Sequence, residues 1–147
     1  IGGNSAEDAC KMIYEAEVIS VGDIVEEEVT IKIGRNIITC FASYSPWEFH
    51  IGCVYMVDIF FSDVISIVRL SNEFDRKSAI RRIGGTYSYD IIGCIEGNIV
   101  FSRGMGFDDE YIGNTICSPG EFYIVRVERL DVEFIEGPLQ HRCIDAD

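Results

Sequence analysis

Two histidines, six cysteines and 25 carboxylates are the residues with which this 147-residue chain could do chemistry. His50 stands beside Trp47 and Glu48, three residues before Cys53. A thiol and an imidazole within hydrogen-bond reach make a nucleophilic pair. Cys53, though, opens an apolar run, where a cysteine is buried and inert. The simpler reading is a loop whose tryptophan covers one end of a β structure. His141 sits in the C-terminal tail. Asp108-Asp109-Glu110 offers hard oxygen ligands but lacks the alternating spacing and closing glutamate of a calcium loop. Gly104-Met105-Gly106 is a bare G-x-G inside a β pattern, a turn rather than a nucleotide fingerprint. There is no G-x-S-x-G elbow, no P-loop and no H-E-x-x-H. Carboxylates are abundant enough for an acid–base pair to assemble in space, but spacing along the chain singles none out. The pattern therefore names no catalytic residue, no cofactor and no metal site.

The six cysteines, Cys10, Cys40, Cys53, Cys94, Cys117 and Cys143, include no C-x-x-C. Neither a zinc ribbon nor a thioredoxin-like site is indicated. Cys40, Cys53 and Cys94 lie in apolar strand patterns, and a domain of this length does not need disulfides. Reduced thiols in a cytoplasmic protein are expected. No apolar run approaches the ~20 residues that span a bilayer. Ile1-Gly2-Gly3-Asn4 lacks the basic-then-apolar start of a signal peptide. No membrane partner is expected.

The elements that must position these residues are mostly strands. Ser5 and Asp8 have capping-box spacing, and Ala6, Ala9, Cys10 and Ile13 share one helical face, which predicts a short helix over Ala6–Tyr14. Extended runs follow at 16–21, 25–33 and 37–41, the last two joined at Gly34-Arg35-Asn36. Residues 42–51 read as a loop. Cys53–Ser62 is apolar on both faces except at Asp58, as in a strand covered on both sides, and 63–70 is another extended run. Polar Asn72–Arg82 reads as a loop or a short crossing helix. Tyr87–Ile95 and Ile99–Ser102 make a hairpin about Glu96-Gly97-Asn98. A long loop opens at Gly104, and Ile112–Cys117 reads as a short edge strand.

Glu121–Glu136 has a particular pattern. Val125 and Val127 alternate in one phase; Leu130, Val132 and Phe134 alternate in the other. A strand has period two, so a bulge or bend is required near Glu128-Arg129. About eight short strands with little helix imply one all-β domain over 1–147, an antiparallel β-barrel or sandwich. The short helix and the polar crossing suit a partly open, OB-like barrel. Residues 1–5 and 139–147 are expected to be flexible ends.

The net charge is −13. Residues 1–70 hold 11 acidic and 4 basic side chains (net −7), residues 71–103 hold 4 and 5 (net +1), and residues 104–147 hold 10 and 3 (net −7). Phosphate binding rests on lysine and arginine, so nucleic acid is not expected as a partner. A basic protein is, because opposite charge steers association. Glu26-Glu27-Glu28, Asp108-Asp109-Glu110, Asp131 and Glu133 are the expected binding carboxylates, with Tyr44, Trp47 and Phe107 as aromatic anchors. The plainer reading of the same carboxylates is a solvated face with edge-protecting charges. The cations of Arg76–Arg82 are read as neutralising nearby acids.

In size and charge the chain resembles the immunity proteins that bacteria use against basic nuclease toxins. The resemblance implies a small, non-catalytic, cytoplasmic inhibitor. A competing class is a small-ligand-binding or enzymatic barrel with a pocket near His50, Tyr87 and Tyr89. Single-stranded nucleic acid on an OB-like face ranks last, because only the central segment is basic.

Overall fold

The structure, a computed structural model, describes residues 12–25, 27–42, 50–71 and 76–139. These residues form the strands β1 (Ile13–Val21), β2 (Glu28–Ile33), β3 (Asn36–Phe41), β4 (Val54–Phe61), β5 (Val64–Arg69), β6 (Ala79–Arg82), β7 (Tyr89–Glu96), β8 (Ile99–Ser102), β9 (Met105–Asp108), β10 (Phe122–Val127) and β11 (Leu130–Glu136). One helical turn, Glu110–Gly113, completes them. By its contacts the chain falls into two compact units. One, the barrel unit, is Ile13–Ile59 with Leu130–Asp147; the other, the sheet unit, is Ile1–Met12 with Phe60–Arg129.

The barrel unit is built on a closed barrel in the order β1-β2-β3-β11-β4. β1 pairs antiparallel with β2 and β4, β2 antiparallel with β3, and β11 parallel with β3. The alternation of the sequence produces its core. Ala16 and Val18, Val29 and Ile31, Ile38 and Cys40, Tyr55 and Val57, and Leu130, Val132 and Phe134 are all buried. Tyr55 meets Phe134 edge to face, with ring centroids 5.3 Å apart, the arrangement that aligns a ring's positive edge with its neighbour's negative face. β1 carries an extra residue between Val18 and Ser20, a bulge that bends the strand as barrel closure requires.

The sheet unit holds the order β5-β10-β7-β8-β9, with β6 also on β7. One edge of β7 is taken by β10 along Tyr89–Cys94. The other is shared: β6 pairs with Tyr89–Ile92 and β8 with Cys94–Glu96. Gly93 lies at the junction, where a Cβ would collide with the carbonyl oxygen of Phe101. The buried hydroxyl of Ser102 lies 2.7 Å from the Ile92 carbonyl and 3.1 Å from that of Ala79, so it ties β8 to both strands at the branch. Tyr89, Ile91, Ile95, Val100, Phe107, Tyr123, Val125 and Val127 form the core beneath.

Several expectations change. The helix over Ala6–Tyr14 is not seen at its described end: Ile13 and Tyr14 belong to β1, and 6–11 lie outside the described residues. Ala79–Arg82, expected as loop or helix, is a strand, because pairing to β7 outweighs its polarity. The loop expected from Gly104 is a tight hairpin instead. Arg103 (φ 54°) and Gly104 (φ 79°) form its two-residue turn into β9, the positive-φ pair that matches strand twist. The edge strand expected at Ile112–Cys117 is a helical turn and a loop, since Asp109 caps Tyr111 and Ile112 is buried in a helical phase.

The phase change in Glu121–Glu136 is real, but it is no bulge within one strand. β10 pairs with β5 and β7 in the sheet unit, β11 with β3 in the barrel unit, and the chain passes between units at Arg129/Leu130. Of the expected flexible ends, Leu139 is described, and its N–H donates to the Val54 carbonyl at 2.9 Å. Residues 1–5 and 140–147 lie outside the described residues. No helix among the described residues is long and apolar enough to cross a membrane.

Candidate functional site

On the barrel, strand register brings together residues far apart in sequence. Glu28 of β2 lies opposite Phe41 of β3, and Phe41 lies opposite Asp131 of β11. Residues in register share a face of the sheet. Val29, Cys40 and Val132 point the other way into the core, so Glu28, Phe41 and Asp131 form one outward row. Glu133, two residues beyond Asp131, is exposed on the same face, and Glu27 is exposed before β2. Two of the three predicted acidic clusters thus converge, around an aromatic ring that sequence reasoning missed. The available signal was the hairpin register Glu28/Phe41, which the Gly34 turn sets. Glu26, Tyr44 and Trp47 lie outside the described residues.

Beneath this row, burial pushes the Cys40 thiol well above its ordinary pKa, and the charge of Asp131 adds to the effect. Cys40 is therefore a protonated, inert thiol. Further along the barrel, Glu15, Glu17, Lys32, Gly34 and Val54 line a concavity of about 370 Å³. Glu17 stands in register with Lys32 on one side and Val54 on the other. Two carboxylates against one ammonium leave the concavity negative, a lining suited to an amine or guanidinium.

In the sheet unit the predicted residues separate. Phe107, expected as a surface anchor, is fully buried and stacks on Phe61 with centroids 5.1 Å apart. It is a core residue, because β9 turns it inward beside Val100. Asp108 ends β9, and Asp109 is an N-cap whose carboxylate accepts the Tyr111 N–H at 2.8 Å. Glu110 is exposed in the first turn. The acidic run here shapes a turn. Among the described residues, no three His, Cys, Asp or Glu side chains gather into a metal-binding group.

Of the residues expected around a pocket, His50 belongs to the barrel unit and Tyr87 and Tyr89 to the sheet unit. His50 is exposed in the barrel unit, and its backbone N–H donates to Tyr55 Oη at 2.8 Å. Tyr89 is a core residue of the sheet unit, and Tyr87 lies under the Arg82 guanidinium, 5.3 Å from the ring centre. A concavity of about 580 Å³ in that unit is lined instead by Ile95, Glu96, Gly97, Thr115, Ile116 and Cys117. Cys53 is 3% exposed and disulfide-bonded, so it is not a thiol nucleophile. This corrects the expectation of reduced thiols throughout, for the pairing of cysteines depends on proximity in space, which strand patterns do not report. Cys40, Cys94 and Cys117 are free; Cys10, Cys143 and His141 lie outside the described residues.

Three cations of the sheet unit are engaged with its own groups. Arg126 Nε and Nη2 donate to the two carboxylate oxygens of Asp90 at 2.8 and 3.0 Å. Arg76 pairs with Glu121 at 3.3 Å, and Arg82 Nε donates to the Thr86 carbonyl at 2.5 Å.

No curated protein and no solved structure matches the chain. A family model described as "Uncharacterised conserved protein UCP019853" matches residues 12–135, through both units, and the chain belongs to that family.

Proposed function

We propose that the chain is a non-catalytic acidic binding protein that docks and neutralises a basic protein, as immunity proteins do with nuclease toxins. One observation carries the reading: the barrel unit holds 13 acidic and 3 basic side chains, net −10, whereas the sheet unit holds 12 and 9, net −3. The charge of the protein is concentrated in the barrel unit. There the row Glu28, Phe41 and Asp131 combines carboxylates with an aromatic ring, the groups that steer and anchor a cationic partner.

The strand order β1-β2-β3-β11-β4, with β3 and β11 parallel, supports reading the barrel as OB-like. In that reading the sheet unit is an insertion between the fourth and fifth barrel strands. OB barrels take extended ligands on the face of their second and third strands. Acidic Glu28 and Asp131 beside that face favour a basic polypeptide over nucleic acid. No cofactor or metal has a part in this reading. The reading sets the protein in the cytoplasm with its toxin. The Cys53 disulfide weighs toward an oxidising compartment, and the alkylation state of Cys53 in protein taken directly from cells decides between them.

The test is association with a basic nuclease toxin domain at rising ionic strength. Steering by charge predicts an on-rate that falls steeply with salt while dissociation changes little. An on-rate indifferent to salt would remove the reading.

A further inference from the structure

Cys53 is buried and disulfide-bonded. Cys40, Cys94 and Cys117 are free thiols, so the partner is one of the two remaining cysteines, Cys10 or Cys143. The strands around Cys53 discriminate between them. The Val18 N–H donates to the Cys53 carbonyl at 3.0 Å, and the Gly52 N–H donates to the Val18 carbonyl at 2.8 Å. Gly52 has φ 89°. Gly52 and Cys53 thus both face Val18, in the glycine-first bulge whose second residue stays in step with the strand. Glu17 opposes Val54 and Ala16 opposes Tyr55, so Cys53 opposes Val18 in the same register. Ala16, Val18 and Tyr55 lie in the core, and residues in register share a face. Cys53 therefore points into the barrel, at one end of the β1/β4 ladder.

β1 begins at the opposite end of that ladder. Ile13 opposes Asp58, five residues along β4 from Cys53, which is about 17 Å at the rise of a strand. Three residues span at most about 11 Å. Cys10 would reach Cys53 only by doubling straight back along a path that β1 and β4 already fill. Met12, moreover, packs in the sheet unit: a Cβ on Gly106 of β9 would lie 3.2 Å from its methyl carbon, and residues 1–12 group with that unit. The C-terminal side differs. The Leu139 N–H donates to the Val54 carbonyl at 2.9 Å, which sets the two backbones about 5 Å apart. Val54 is the residue after Cys53, and Cys143 is four residues after Leu139. Leu130–Asp147 groups with the barrel unit, as Cys53 does. Four residues span up to about 14 Å, enough to turn beneath the barrel end and bring the two Cα atoms within the ~6 Å of a disulfide.

We infer that Cys53 is bonded to Cys143, and that this bond latches the segment after β11 across that end of the barrel. The ring it closes contains Phe60–Arg129, all of the sheet unit but its N-terminal segment. The latch joins the chain on either side of that span, so β4 and the segment after β11 stay linked even when the backbone between them is cut. Forming the bond passes two electrons and two protons from the two thiols to an exchanging disulfide, and a dithiol reductant reverses it.

The test is a peptide map. The full chain is equilibrated with glutathione disulfide, quenched in acid, alkylated in denaturant and cut with trypsin, which places Cys53 on residues 36–69, Cys10 on 1–11 and Cys143 on 143–147. The expected species is 36–69 joined to 143–147. It should vanish in Cys53→Ser and persist in Cys10→Ser and in Cys40→Ser, the last because Cys40 shares the 36–69 peptide. A second measurement reads the latch on the unsubstituted chain. After one protease cut within Phe60–Arg129, the two fragments should run as one species in denaturant and as two once a reductant is added. A link between 36–69 and 1–11, or a 36–69 peptide alkylated at both cysteines, would overturn the inference. So would a link joining two copies of the chain, or fragments that separate in denaturant without reductant.

Discussion

The barrel and the sheet unit are made of similar apolar, alternating strands, yet they treat charge in opposite ways. In the sheet unit the formal charges nearly balance, 12 acids against 9 cations, and three of those cations are tied locally: Arg126 to Asp90, Arg76 to Glu121, Arg82 to Tyr87 and Thr86. In the barrel unit 13 acids stand against 3 cations. Balanced charge of the first kind serves a unit's own surface and adds little to stability. Unbalanced charge of the second kind costs self-repulsion, and it persists where it creates a field for a partner. Under the proposed function, that difference assigns recognition to the barrel unit.

The sharpest way to break the comparison is Gly93→Ala. A methyl at the β6/β8 junction meets the Phe101 carbonyl, so the sheet unit should lose about 3 kcal/mol or more. Strand-resolved hydrogen exchange should show protection falling in β6 to β10 while β1 to β3 keep theirs. Equal loss throughout would mean that the two units unfold as one. Next in size is the pair Asp131→Lys with Glu133→Lys. Stability should stay within about 0.5 kcal/mol, while association with a basic partner slows about tenfold. Asp108→Lys with Glu110→Lys in the sheet unit should slow it less. Matching effects would erase the contrast between the units, and no effect from the first pair would leave β11 as scaffold only.

The third test uses pH. The folded Cys40 thiol has a raised pKa, from burial first and Asp131 second. An acid whose folded pKa lies above its unfolded value contributes stability that is complete below the unfolded pKa. Above about pH 8.5 the unfolded chain loses this proton and the native barrel keeps it, so stability falls by up to about 1.4 kcal/mol per pH unit. Cys40→Ala should flatten that alkaline slope in urea titrations. In the native protein Cys94 and Cys117, both half-buried, should be alkylated before Cys40. The smallest effect is expected from Asp90→Ala. It removes the bidentate pair with exposed Arg126 and should cost a slight loss of stability that vanishes in high salt.

Much of the fold was legible in the chain because period-two alternation is a local property. The hairpin about Gly34, the strand from Val54, the hairpin about Gly97 and the phase change near Glu128 all stand where the pattern places them. Capping and turn chemistry were read less well. Asp109, read as a binding carboxylate, is an N-cap; Gly104, read as the mouth of a loop, belongs to the two-residue turn Arg103-Gly104. Phe107 was a candidate anchor because aromatic type says nothing about which face of an unrecognised strand it occupies.

By itself, then, the sequence determined an all-β chain, its alternating cores, its acidity and the need for a break between Val127 and Leu130. Those follow from side-chain type and spacing alone. Only the tertiary structure decided that the break carries the chain from one unit to the other, that β11 runs parallel to β3, and that Glu28, Phe41 and Asp131 share a row. Pairing between strands separated by some ninety residues depends on which edges meet in space, and no local period encodes that.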